Sequence, residues 1–214
     1  IIKVKFNYMN ILVIGSGARE HAICYAVSQS SRLNELYAIP GNYGISQLAE
    51  CHIIDINNFN EIYAFAIKKN IDLIIVGPEV PLVNGIVDYF TSKKIKIFGP
   101  DKFAAQLEGS KSFMKDLCRE YNIPTAQYEK FQNSDDAIKY LEKQSYPIVI
   151  KADGLAAGKG VTIAEDFKAA SIAVQDVFNH KFGENMDVVI EEFMHGEEAS
   201  YFVCSDGKDF VSLI

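Results

Sequence analysis

Residues 150–166 read IKADGLAAGKGVTIAED, with Lys151 before and Lys159 inside a small-residue loop that holds Gly154, Ala157, Gly158 and Gly160. Lysines bring charge to a polyphosphate, and a glycine backbone can approach it closely because no Cβ intervenes. Two readings stay open on this stretch alone: a tight hairpin with surplus charge, or a flap that closes over phosphates. A Walker A loop is neither, since Gly160 stands where Ser or Thr is required and VTIAE has the pattern of a strand rather than a helix. Lys151 ends the apolar run YPIVIK, where burial forbids a charge without a partner. Either its stem reaches outward or its ammonium meets an anion. Lys111 follows Glu-Gly-Ser in the first turn of a helix, where a cation opposes the helix dipole. That local conflict hints at service to a ligand such as a phosphate.

Further along, VVIEEFMHGEEAS (188–200) sets Glu191, Glu192 and Glu198 around Phe193 and Met194. A strand leaving a sheet here could offer backbone C=O and N–H groups to the edge of a purine, with apolar side chains on its faces and Glu198 at the ribose hydroxyls. An acidic surface loop is the other reading. Near the start, GSGAREH (15–21) follows an apolar run, and a strand, glycine turn and helix N-terminus make an anion site. The dinucleotide fingerprint fails, because Glu20 stands at the third glycine position and the next strand ends YAIPGN without an acid for a ribose. A monophosphate site, to which Arg19 would add a charge-assisted bond, and a plain βα turn remain. IPGNYG (39–44) and GPEVPL (77–82) end two more strands, so Asn42 and Glu79 are expected to face the crevice of Gly17 and Arg19.

The elements that must position these residues follow from hydrophobic periodicity. Apolar runs at 10–15, 35–41, 51–56, 71–79 and 95–100 alternate with helical spacing, as in a doubly wound α/β domain. Asn57 or Asn58 caps the helix FNEIYAFAIKKN, and LVNGIVDYFTSKK is the next helix. After Pro100 come two helices broken near Gly109, then strands at TAQYEKF, YPIVIKA, VTIAE and DVVIEEFM, with helices NSDDAIKYLEKQS and DFKAASIAVQDVFNH between them. EASYFVCSDGKDFVSLI is a hairpin turning at Asp206-Gly207. The shift in texture divides the chain into 1–108 and 109–214.

The chain has 214 residues, 49% of them hydrophobic, and a net charge of −7, so a core of ordinary size is expected and a basic nucleic-acid footprint is not. Cys24, Cys51, Cys118 and Cys204 are too scattered for a zinc site or a disulfide framework, which fits a reducing cytoplasm. No apolar run reaches the roughly 18 residues of a membrane helix. The residues before Met9 read as a leader or an upstream start, and DFVSLI stops within a strand, so the native protein is expected to continue.

A lysine opening a helix, a lysine ending a strand, a glycine-rich flap and an acidic hinge together resemble the ATP-grasp fold. NILVIGSGAREHAI, PGN, GPEVPLV, GPDKFAAQLEGSKSFMK and PIVIKADGLAAGKGV resemble the glycinamide ribonucleotide synthetases (phosphoribosylamine–glycine ligases) of purine biosynthesis, from Met9 to Ile214. The resemblance implies a pre-ATP-grasp domain followed by the first part of an ATP-grasp domain, since members of the family are longer. It implies an ATP-dependent ligase that joins glycine to 5-phosphoribosylamine through glycyl phosphate. It gives Lys111 and Lys151 to the α- and β-phosphates. Lys159 and the backbone of Gly154, Ala157, Gly158 and Gly160 go over the phosphates, with Lys151 and Lys159 as the catalytic pair. It gives Glu191, Glu192, Phe193 and Met194 to adenine, Glu192 and Met194 through their backbone, and Glu198 to the ribose. Gly15, Gly17, Arg19, Glu20, Asn42 and Glu79 face phosphoribosylamine. Magnesium or manganese is implied, with its ligands beyond residue 214. A monomer or weak dimer without nucleic-acid or membrane partners is expected. Other ATP-grasp ligases or carboxylases share the lysine pair and the flap, and differ in the N-terminal turns.

Overall fold

A computed structural model describes residues 8–156, 158–184 and 186–213. The first unit is built on a parallel sheet in the order β3-β2-β1-β4-β5, made of β1 (Met9–Gly15), β2 (Leu33–Pro40), β3 (Glu50–Cys51), β4 (Leu73–Val76) and β5 (Ile97–Phe98). β1 lies at its centre and is buried on both faces. Leu12 and Ile14 pack with Ile62, Phe65 and Ala66 of α2 (Phe59–Lys68) and with Ile86, Val87 and Phe90 of α4 (Ile86–Ser92). Ile11 and Val13 point the other way, against Cys24 of α1 (Ala18–Ser28). Burial pushes the Cys24 thiol up to about 11, which keeps it a neutral core residue rather than a nucleophile. The order of strands reverses beside β1, so the turns after β1, β2 and β4 share one carboxyl edge, where open α/β sheets bind ligands.

Two expected elements differ. The strand expected at 51–56 is only Glu50–Cys51, because the chain turns at Asp55, whose Oδ1 accepts from Asn57 N at 2.9 Å. Ile54 and Ile56 still pack against the core, and that accounts for their apolar signal without a strand. The helix expected from Leu82 onward is two, α3 (Glu79–Val83) and α4, because Gly85 takes a left-handed φ of 89° between them. Asn58 is the cap of α2, accepting from Glu61 N at 3.2 Å.

The second unit carries an antiparallel sheet in the order β6-β9-β7-β8: β6 (Tyr128–Phe131), β7 (Ile148–Ala152), β8 (Val161–Ala164) and β9 (Val188–Glu192). α7 (Ser134–Leu141) and α8 (Phe167–Phe178) cover one face, packing on Ile148, Ile150, Ala152, Val188 and Ile190. Side chains alternate across a strand, so Lys151 and Glu191 fall on the opposite face. α5 (Gln106–Gly109) and α6 (Lys111–Glu120) precede this sheet, and β10 (Phe202–Ser205) and β11 (Phe210–Leu213) form the expected hairpin. Its turn is tied by Asp206 Oδ1, which accepts from Lys208 N and Asp209 N at 2.9 Å. Among the described residues, no helix is long and apolar enough to cross a membrane.

Candidate active site

At the edge of the parallel sheet the three turns are tied to one another. Arg19 Nη2 donates to Glu79 Oε1 at 2.6 Å, joining the turn after β1 to the start of α3. The bond holds the Glu79 carboxyl below its ordinary value and raises Arg19 further. Asn42 joins the turn after β2, with Nδ2 donating to Ser16 O at 2.7 Å and Oδ1 accepting from Ile45 N at 2.9 Å. Gly17, Arg19, Asn42 and Glu79 therefore come together as expected from three polar strand ends.

Glu20 changes the reading of the glycine turn. It is buried, and its Oε2 accepts from Gly17 N at 2.5 Å in the manner of a capping box. A phosphate on that N–H would meet a carboxylate already there, so Gly17 N itself serves a capped βα turn, one of the two readings left open for this segment. The glycines are explained by the same side chain: a Cβ at Gly77 would lie 2.1 Å from Glu20 Oε1, and one at Gly15 2.5 Å from its Cγ. Glu20 Oε1 is buried and, among the described residues, has no hydrogen-bond partner. The Glu20 side chain also helps line a cavity of about 400 Å³ with Gly15, Ser16, Pro40, Asp55 and Pro78. An unpaired buried acceptor beside a cavity suits a ligand that donates, such as an amine or hydroxyl.

The second cluster lies where α6 meets the end of β7. Ser110 caps α6, accepting from Phe113 N at 3.1 Å. Asp153, just past β7, binds the same turn: Ser112 Oγ donates to its Oδ2 at 2.5 Å and Ser112 N to its Oδ1 at 3.2 Å. Lys111 Nζ donates to Gly154 O at 2.8 Å. Burial pulls the Lys111 ammonium below its ordinary value, Asp153 opposes this and the nearby charge of Lys151 adds to it. A half-buried cation held beside a second cation is a site waiting for negative charge.

The open question about Lys151 has a definite answer. Its Nζ donates to Glu191 Oε2 at 3.0 Å, so the anion it meets in this structure is a carboxylate. Glu191 is a correction to the acidic-loop reading, for it is buried rather than on a surface loop. Lys115 Nζ stands 3.0 Å from the same oxygen. Glu191 Oε1 is buried and unpartnered, an acceptor of the kind that an exocyclic amine would satisfy. Glu192 N donates to Gln127 O at 2.9 Å and its Oε1 accepts from Gln127 N at 3.0 Å, so its backbone N–H is already committed and is not free to read a purine edge. Phe193 is half-buried against His195, with ring centroids 5.0 Å apart, whereas Met194 and Glu198 are exposed. In the loop, Gly158 and Lys159 are exposed and Gly160 O closes onto Ala152 N at 2.8 Å; Ala157 lies outside the described residues. The structure thus brings Lys111, Lys151, Gly154 and Glu191 together, and leaves Lys159, Met194 and Glu198 on the open side.

Lys115, Asp153, Ser110 and Ser112 were not expected from sequence. Lys115 did leave a trace: it lies three residues before the buried Cys118, on the inward side of α6, where a lysine needs a partner. Among the described residues no three His, Cys, Asp or Glu side chains group as a cation site.

Two family profiles match the chain. The N domain of phosphoribosylglycinamide synthetase matches residues 9–108. The ATP-grasp (A) domain of phosphoribosylglycinamide synthetase matches residues 109–214. A phosphoribosylamine–glycine ligase of Clostridium acetobutylicum is 49% identical over 211 residues, covering 96% of this chain and 50% of its own length. One from Agrobacterium fabrum is 50% identical, covering 96% and 49%. The chain thus spans about half the length of the curated relatives it matches. The crystal structure of phosphoribosylamine–glycine ligase from Thermotoga maritima superposes with a TM-score of 0.76 at 30% identity, over 95% of this chain and 49% of that one. An Aspergillus clavatus carboxyaminoimidazole ribonucleotide synthase, solved with ATP, shares the fold at a TM-score of 0.70 and 16% identity, over 97% of this chain and 53% of its own. With both of its halves matched by successive domains of one enzyme, the chain belongs to the phosphoribosylglycinamide synthetase family.

Proposed function

We propose that this chain provides the amine-binding and nucleotide-phosphate-binding parts of an ATP-dependent ligase that joins glycine to 5-phosphoribosylamine. The observation that carries the reading is the convergence of Lys111, Lys151 and buried Glu191 at the root of the glycine loop, within a chain whose relatives are named phosphoribosylamine–glycine ligases. A carboxylate is a poor acyl donor. One oxygen of glycine attacks the γ-phosphorus of ATP and ADP leaves, giving glycyl phosphate. The amine nitrogen then attacks the acyl carbon, the carbon–oxygen bond to phosphate breaks, and the nitrogen loses a proton. The products are glycinamide ribonucleotide, ADP and phosphate.

Each group has a task in this scheme. Lys111 and Lys151 offset phosphate charge, and the glycine loop with Lys159 excludes water from an intermediate that hydrolyses readily. Glu191 accepts from the adenine amine, the Glu192 carbonyl and Met194 backbone read the purine edge beside Phe193, and Glu198 takes the ribose. At the other edge, Glu20 Oε1 accepts from the amine or a hydroxyl of phosphoribosylamine, while Arg19, Asn42 and Glu79 fix its register. Catalysis is then chiefly positioning and charge neutralisation.

The test is a substrate panel on the complete ligase, offering glycine, bicarbonate or formate with ATP and a phosphoribosyl amine. ADP release should depend on glycine alone, and Lys151→Met should lower it by about 10²-fold or more. Release driven by bicarbonate or formate, or wild-type turnover in Lys151→Met, would refute the assignment.

A further inference from the structure

We propose that Lys115 is a positioning residue of the nucleotide site, one that offsets Glu191 so that Lys151 keeps a positive charge for phosphate; this rests on the ligase reading given above. The side chain of Lys115 is 2% exposed and that of Glu191 5%, with the ammonium 3.0 Å from Glu191 Oε2. Lys151, 26% exposed, reaches the same oxygen at 3.0 Å. Lys115 also donates to Thr125 Oγ1 at 2.8 Å and to Ala126 O at 3.1 Å. Two hydrogen bonds and the ion pair with Glu191 occupy its ammonium, which is sealed from solvent and so does not reach a ligand.

The charge count gives this arrangement its purpose. Lys151 and Glu191 alone would be a neutral pair, with the ammonium committed to its carboxylate. Adding Lys115 leaves one positive charge on the triad. Lys115 is sealed, so the surplus is felt at Lys151, the only member that opens toward the site. The same contacts pin α6 to the strand face one turn after Lys111, which donates to Gly154 O at 2.8 Å. Lys115 thereby fixes both phosphate lysines without touching the nucleotide. A buried ion group is poor support for stability compared with apolar packing, so stability alone does not account for it.

The experiment uses the complete ligase, first establishing glycine-dependent turnover in the wild type; its absence would refute the ligase reading and not this inference. Lys115→Met should raise the KM for ATP by about 10- to 100-fold, as loss of outer-shell partners does elsewhere, with the KM values for glycine and phosphoribosylamine nearly unchanged. Combining Lys115→Met with Glu191→Gln removes both buried charges and leaves Lys151 free, so the double variant should bind ATP more tightly than Lys115→Met. If Lys115→Met does not fold, the double variant is compared with the wild type, whose single net positive charge at the triad it restores, and should bind ATP about as well. An unchanged KM for ATP in Lys115→Met, an equal rise in all three KM values, or a double variant weaker than its comparison would overturn the proposal.

Discussion

At the residue scale, the polar atoms left without partners carry the functional argument. Glu20 Oε1 and Glu191 Oε1 are both buried and, among the described residues, unpaired, one at each candidate subsite. Burying an unpaired carboxylate oxygen is costly unless a ligand completes it. Arg19 and Glu79 make the complementary case: their side chains are 69% and 35% exposed, so the pair contributes at most about 1 kcal/mol to stability. Arg19→Ala should therefore leave the thermal midpoint nearly unmoved while raising the KM for phosphoribosylamine about tenfold, read by steady-state kinetics beside a melt. A large loss of stability with an unchanged KM would assign the pair to the fold instead. Residue types were legible in the sequence where local chemistry conflicted with local structure, as for Lys111 and Lys151. From its neighbours alone Glu20 was legible only as a failed third glycine, and it was the family resemblance that put it on the phosphoribosylamine side. That it folds back on Gly15, Gly17 and Gly77 depends on a strand sixty residues away, and no spacing rule reaches that far.

At the element scale, alternation along strands places the site. β7 gives Ile148, Ile150 and Ala152 to the helices and Lys151 to the other face, where β9 supplies Glu191. This much could be read from YPIVIKA and DVVIEE. The order β6-β9-β7-β8 could not, because antiparallel partners are chosen by packing across the sheet rather than by sequence. The strand expected at 51–56 failed for a related reason: Ile54 and Ile56 are apolar because they cover a core, and this does not require them to join a ladder. The glycine loop is anchored at Gly160 by the bond from Ala152 N, and at its other end Lys111 holds Gly154 O. Under the proposed function a nucleotide competes with Gly154 O for Lys111. Amide exchange across Gly158, Lys159 and Gly160 should accordingly be fast without nucleotide and slow by about tenfold or more when ATP binds. Equal exchange in both states would exclude closure of this loop.

At the scale of the whole molecule, the proposed function divides the labour between two units. The parallel sheet borders a cavity at its carboxyl edge, and the antiparallel sheet presents Lys151 and buried Glu191 beside Lys111 of α6. Acyl phosphate chemistry needs both, since the activated glycine has to meet the amine before water does. The central claim, that glycine is activated by transfer of phosphate to its carboxylate, is tested most directly by isotope. Glycine labelled with ¹⁸O in its carboxylate is turned over by the complete ligase with ATP and phosphoribosylamine, and the released phosphate is analysed by mass. Passage through glycyl phosphate predicts one labelled oxygen in each phosphate formed. Phosphate without label, released in step with glycinamide ribonucleotide, would contradict it.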